Sequence, residues 1–307
     1  MLAIFLKTLP FFGLIATGYF AGRTRFFTDE ATAYLTKFVF YFALSAMLFR
    51  FAANLSLGDV LNWTFIWAYL CASTLVYVLT TVFSRLRGIS WEECAVEAQC
   101  AVIGNVGFLG VPMLTLLLGP QAIGPVMMVL AVDLLVFGSV IVIVITGTRD
   151  GRIAPGVLLS VGRGLVRNPM IVSIGAGFAW SALEWPIPVP MNEFLDLLGA
   201  AATPCALFAI GASLASKSAE RLSVALWLSG AKLILHPAAV AFMALVVFPI
   251  EPYAASVMIA CAALPVAGNV YILARHYGVA PHRVSTTILL TTAASVVTVS
   301  AIIAWLG

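Results

Sequence analysis

The chain has 307 residues, of which 62% are hydrophobic and only 9% charged, against about 25% charged in an average soluble domain. Its 13 acidic and 16 basic side chains, with a formal net charge of +3, cannot clothe a water-soluble protein of this length, and a mean hydropathy of +1.08 belongs to a chain whose solvent is largely lipid. A soluble globule is excluded, and a nucleic-acid patch with it, because the basic residues sit singly and in pairs at the ends of apolar runs.

A spanning helix uses roughly 20 apolar residues, and the chain divides into ten such segments with no length left for a soluble catalytic domain. The first, residues 2–22, is preceded by no basic stretch and followed by Arg23 and Arg25, so it reads as a retained span rather than a cleaved signal. Residues 33–53 and 62–84 form the second and third. Lys7 and Lys37 are expected to snorkel to the membrane surface.

The fourth segment, 93–118, contains Gly104-Asn105-Val106-Gly107-Phe108-Leu109-Gly110-Val111-Pro112. Helical propensity falls by about 1 kcal/mol per Gly and 3 per Pro, so this span should break in its middle. Glu97 and Gln99 enter it one or two turns before the break; they line an access route or simply solvate a helix start. The fifth, 122–146, carries Asp133 among Leu130, Val132 and Leu134. A lone carboxylate there costs about 2.5–3.5 kcal/mol on insertion scales, so it must be protonated, paired or lining water, which makes it the leading proton-coupling candidate beside a purely anchoring role.

After a short linker come segments at 168–184, 191–215, 222–248, 252–274 and 283–306. The Trp185 to Pro190 run before the seventh is a stiff connection. Lys232 and His236 lie four apart on one face of the eighth, with Pro237 loosening the turn. An inward Lys232 would pair Asp133 or attract an anion. The ninth contains Leu264-Pro265-Val266-Ala267-Gly268-Asn269-Val270, a second break. The seams at 115–125 and 248–253 carry the least punctuation. Trp63, Trp91, Trp185 and Trp305 read as interfacial anchors.

Loop charges test the count. Arg23, Arg25, Arg85, Arg87, Arg149, Arg152, Arg163, Arg167, Lys217, Arg221, Arg275 and Arg283, twelve of the 16 basic residues, fall in odd-numbered loops, and Arg50 is the nearest exception. The positive-inside rule makes those loops cytoplasmic and places both termini on the non-cytoplasmic side of the plasma (inner) membrane.

The halves also match each other. At an offset of 159, Pro10 and Gly18 fall on Pro169 and Gly177, and Leu48-Phe49 on Leu207-Phe208; at 164, Gly104-Asn105-Val106 falls on Gly268-Asn269-Val270. Five spans per half is odd, so the repeats are inverted: 1–147, a linker at 148–167, and 168–307. Paired Gly/Pro interruptions in corresponding spans point to a transport site. The candidate substrate residues are therefore Gly104, Asn105, Gly107, Pro112, Pro265, Gly268 and Asn269; Asp133, Lys232, His236 and Glu97 are the charge or ion-coupling candidates.

The fourth-span motif, Ala202 to Leu214 (Ala-Thr-Pro-Cys-Ala-Leu-Phe-Ala-Ile-Gly-Ala-Ser-Leu), and Leu264-Pro265 to Asn269 resemble the auxin efflux carrier family, which includes bacterial malonate permeases and plant PIN-FORMED carriers. The resemblance spans essentially the whole chain. It implies an all-α polytopic fold of ten transmembrane helices in two inverted repeats, related to bile-acid symporters, with discontinuous crossing helices in spans four and nine. It also implies a dimerising scaffold of spans 1, 2, 6 and 7, and an elevator-like transport domain of spans 3–5 and 8–10. Two departures stand out: Ser45 where relatives often have a proline matching Pro204, and a 147–167 loop far shorter than in plant carriers.

The expected function is secondary transport of a small organic anion, malonate-like, dicarboxylate or auxin-like, coupled to a proton or sodium ion or to none. An anion channel or membrane sensor is the alternative. No GxxxxGK[ST], HExxH or catalytic triad is present, so neither ATP use, another cofactor nor an enzyme is expected. The five cysteines form no CxxC pair, and no metal or disulfide is expected.

Overall fold

The computed structural model describes residues 2–55, 62–150, 155–215 and 222–306, and every regular element among them is helical. In chain order they are α1 (Leu2–Arg23), α2 (Asp29–Ala53), α3 (Trp63–Leu86), α4 (Trp91–Val102), α5 (Val106–Leu118), α6 (Pro120–Arg149), α7 (Pro155–Arg167), α8 (Pro169–Ala182), α9 (Val189–Ala215), α10 (Leu222–Val247), α11 (Pro252–Ala262), α12 (Gly268–Tyr277) and α13 (Pro281–Leu306). Each apolar segment read from the sequence falls on helix, the fourth and ninth each on two helices with a break between them. The linker at 148–167 contains the amphipathic α7. Arg152, Lys217 and Arg221 lie outside the described residues.

Six of these helices (α2, α3, α6, α9, α10 and α13) are long and apolar enough to cross a membrane, and α5, α8 and α11 are shorter apolar helices. Large apolar side chains stay exposed around the outside, among them Phe20, Phe42, Leu79, Leu197 and Val246. No soluble monomer leaves so much apolar surface in water, and lipid covers it here. Trp63, Trp91, Trp185 and Trp305 are each more than half exposed, as interfacial anchors should be.

Side-chain caps set where the helices start. Thr28 accepts from the Ala31 amide at the head of α2, Asn62 from Phe65 at α3, and Asn168 from Met170 at α8. Ser90 and Glu93 form a reciprocal capping box on α4. At α11 the Glu251 carboxylate accepts from both the Tyr253 and Ala254 amides, which hold its carboxyl below the usual carboxylate range. That cap is present at neutral pH and lost as the pH falls through the lowered value. The weak seams resolve as tight joints: Gly119, at φ +97°, separates α5 from α6, and residues 248–251 separate α10 from α11.

Two helix pairs approach at backbone distance. A Cβ added to Gly18 of α1 would lie 2.0 Å from the Phe208 carbonyl oxygen of α9, and one on Gly177 of α8 would lie 2.6 Å from the Phe49 carbonyl oxygen of α2. Those four residues are the ones paired by the 159-residue offset, so each contact is the counterpart of the other. A Cβ at Gly211 would fall 1.9 Å from the Ile15 carbonyl oxygen. Small residues are what allow such contact between helices in lipid, where dispersion replaces the hydrophobic effect as the driving force. Gly211→Val is expected to destabilise the protein by about 1–3 kcal/mol through overpacking, read as a lowered melting temperature in detergent. Gly13→Ala, on the same α1 but with nothing within 4 Å of the new Cβ, should not; equal losses in both would contradict this packing account.

Candidate substrate and ion site

Both expected breaks are present, and they face each other. α4 ends at Val102, Ile103 is extended, and α5 restarts at Val106 through a wide π-helical turn ending at Gly110. α11 ends at Ala262 and α12 restarts at Gly268. Between them Gly104 and Val266 form an isolated antiparallel bridge. The Asn105 N–H donates to the Pro265 carbonyl at 2.8 Å, and the Ala267 N–H to the Ile103 carbonyl at 3.1 Å. The Val266 N–H reaches Thr291 Oγ1 of α13 at 3.2 Å. The freed backbone groups are thus satisfied by protein, which is the condition for irregular chain at membrane depth.

Two helix N-termini (α5 and α12) and two C-termini (α4 and α11) meet at this point, the first pair presenting partial positive charge and the second partial negative. Asn105, at the head of α5, is 5% exposed and its side chain makes no capping hydrogen bond to that helix. Asn269, in the first turn of α12, has a buried Oδ1 with no partner. Beside it, a Cβ on Gly268 would meet nothing within 4 Å, so the break has open space on that flank. Gly107 instead packs on Met170 of α8. Pro112 lines a cavity of about 340 Å³ between α2, α5 and α9, with Arg50, Phe51, Thr115, Asp196 and Gly199. Arg50 is ion-paired to Asp196 there, and its Nε donates to Asn192 Oδ1 at 2.9 Å.

Asp133, Lys232 and His236 are brought together next to the breaks. Asp133 opens a π-helical turn of α6 and Lys232 lies in one of α10; such bulges widen a helix and re-aim its side chains. Tyr69 of α3 donates to Asp133 Oδ1 at 2.8 Å, while Oδ2 is buried without a partner. Lys232 Nζ lies 2.6 Å from the Ala262 carbonyl and 3.1 Å from His236 Nδ1, and His236 Nε2 lies 3.0 Å from Ser73 Oγ. The expected Lys232–Asp133 pair is not a direct contact, because each group is held by other partners.

Glu97 stands apart from this cluster. It is fully buried rather than a solvated helix start, ion-paired to Arg87 of the α3–α4 loop and to Arg283 of α13 at 2.5 Å. Ser84 donates to it at 2.6 Å, and Arg283 also pairs Glu93 at 3.0 Å. Arg149 bonds Glu92 and the Tyr277 carbonyl, so the ends of α3, α4, α6, α12 and α13 are tied into one ionic cluster. Gln99 donates instead to the Phe137 carbonyl at 3.3 Å. Lys37 lies over the Tyr34 ring.

Sequence reasoning passed over Tyr69, Ser73 and Thr291. Tyr69 and Ser73 are four apart in an apolar helix, and that spacing was a readable sign of one polar face. Thr291 lies in a helix rich in Ser and Thr and carried no such sign. Among the described residues no group of His, Cys, Asp and Glu has the spacing to hold a metal ion, and all five cysteines are free.

A chain whose described elements are all helical, with a lipid-facing exterior and two buried, facing helix breaks, is a multi-pass membrane protein of the transporter class. Residues 3–303 match the family described as "Membrane transport protein". The chain is 30% identical over 298 residues to the "Putative malonate transporter" of Rhizobium meliloti (strain 1021), covering 96% of this chain and 93% of that one. It is also 27% identical over 227 residues to the mouse (Mus musculus) "Lysosomal cholesterol signaling protein", covering 70% of this chain and 26% of that one. The protein belongs to this membrane transport family, the auxin efflux carriers that its motifs resemble.

Proposed function

We propose that this protein is a secondary transporter of small organic anions, carboxylates of the malonate or dicarboxylate type or an auxin-like acid. The observation that carries the reading is the pair of facing breaks, where two half-helix N-termini and the side chains of Asn105 and Asn269 converge beside open space at Gly268. Backbone N–H groups at helix starts and the Nδ2–H groups of the two asparagines are the donors that suit a carboxylate. The match to the "Putative malonate transporter" over 96% of the chain supports the anion class.

In this reading the chain is two inverted five-helix repeats, 1–147 and 168–307, joined by 148–167. The reciprocal Gly18–Phe208 and Gly177–Phe49 contacts support it, as does the Ile103–Ala267 bond between positions related by the 164-residue offset. α1, α2, α8 and α9 form a scaffold that dimerises. The remaining spanning helices move past it as one body in an elevator motion, held together at their basic end by the Glu97 ionic cluster. The cavity at Pro112 and Arg50 lies on the sliding boundary. The protein resides in the plasma (inner) membrane with both termini outside the cytoplasm, and a proton gradient, a sodium gradient or the substrate gradient alone drives it.

Counterflow of labelled malonate in proteoliposomes, competed by mono- and dicarboxylates, tests the reading. Saturable exchange displaced by particular acids establishes a carrier. Non-saturating flux would indicate a channel, and folded protein with no flux of any acid would leave the sensor reading. Asp133→Asn is expected to stop transport or free it from the pH gradient; an unaltered pH dependence in that variant would remove Asp133 as the proton site.

A further inference from the structure

Lys232 is completely buried, and its surroundings are unusual for a cation at membrane depth. Its Nζ donates at 2.6 Å to the carbonyl of Ala262, the last residue of α11 and so the partially negative end of that half-helix. A Cβ on Gly104, two residues beyond the end of α4, would approach the same Nζ to 3.3 Å and the Cys261 carbonyl oxygen to 3.1 Å. Glycine at 104 therefore leaves room for the amine between the chain that leaves α4 and the negative end of α11. His236 Nδ1 faces Nζ at 3.1 Å, and its Nε2 reaches Ser73 at 3.0 Å. If Lys232 donates to Nδ1, the ring proton sits on Nε2 and is given to Ser73, so every contact in the chain is used. Asp133, held by Tyr69 and with one oxygen unpartnered, is close enough to interact electrostatically with Lys232 without touching it.

We propose that the Lys232 ammonium is a resident cation of the paired breaks: it occupies, tethered to α10, the position where an inorganic cation would otherwise be needed to offset the C-terminus of α11 and the Asp133 carboxylate. The consequence, which rests on the anion-carrier reading, is that the substrate site is complete without sodium. The positive charge that balances the anion moves with the protein. Of the two coupling ions named above, this removes sodium and leaves a proton or no ion.

The test uses purified full-length protein in detergent and in proteoliposomes, with sodium, methylammonium and choline chlorides at matched ionic strength. Wild-type melting temperature and counterflow are expected to be the same in all three salts. Lys232→Ala removes the amine and leaves a cavity of its size. Its melting temperature should fall, and methylammonium should restore on the order of 2–4 °C relative to choline, as a small cation refills the vacated place. Lys232→Met fills the space without charge and should lose counterflow at least about tenfold, with no response to methylammonium. A sodium-dependent gain in wild-type melting temperature or counterflow would overturn the proposal, and that arm needs no substitution. Wild-type counterflow in Lys232→Met, or a folded Lys232→Ala indifferent to methylammonium, would overturn it as well. Absence of carboxylate counterflow in the wild type would sink the carrier reading instead, while the melting data would still judge the resident cation.

Discussion

Asn269→Ala and Asn105→Ala should each lower carboxylate counterflow by about 10–150-fold, the loss expected when one hydrogen bond of about 1.5–3 kcal/mol to a charged group is removed. The double substitution should abolish flux. Neither single change should unfold the protein, because neither amide supports it. The Asn105 side chain does not cap α5, and Asn269 Oδ1 is buried without a partner, so alanine removes no capping bond at 105 and an unsatisfied acceptor at 269. Melting temperatures close to wild type, together with lost transport, would separate a binding role from a structural one. The paired backbone bonds of the breaks survive in both variants, since the Asn105 and Ala267 amides make them and not the side chains. Normal uptake by both variants would remove the facing breaks as the substrate site. A large drop in stability would instead show that these amides cap the half-helices.

Glu97→Ala should have the largest effect on stability, about 3–5 kcal/mol, the cost of removing one partner from a buried ion pair. The carboxylate is fully buried and touches Arg87, Arg283 and Ser84, and the side chain of Arg283 is itself only 5% exposed. Without Glu97, Arg283 keeps only its contact with Glu93 on the rim of the cluster. The loss is read from thermal melting in detergent. Glu97→Gln keeps the shape and the acceptor oxygen, so it should cost less than alanine. Equal melting of wild type and Glu97→Ala would show that the cluster is a solvated surface network of little energetic weight. A stable Glu97→Ala protein with altered pH dependence of flux would return Glu97 to the ion-coupling candidates.

Much of the fold was legible because the membrane imposes simple rules. Every apolar segment had to be helix, since in lipid the backbone must satisfy itself, and charge placement marked the ends. The breaks were legible for the same reason: Gly104, Gly107, Gly110 and Pro112 oppose a continuous helix wherever they stand, as do Pro265 and Gly268. The offset between the halves even named Gly18, Phe49, Gly177 and Phe208 before their reciprocal contacts were seen.

The sequence by itself therefore determined that the chain is helical and lives in lipid, where two of its helices are interrupted, and which polar residues stand at membrane depth. Those properties are local, set by propensity and by transfer free energy along the chain. Only the tertiary structure decided who meets whom. It gave Tyr69 rather than Lys232 to Asp133, set Lys232 against the end of α11, and drew Glu97 onto Arg87 and onto Arg283, the latter 186 residues away in sequence. A buried charge must be offset, but a sequence does not say by which partner: that depends on the rotation of each helix about its axis, which π-helical turns at Asp133 and Lys232 alter and which close packing of neighbouring helices fixes.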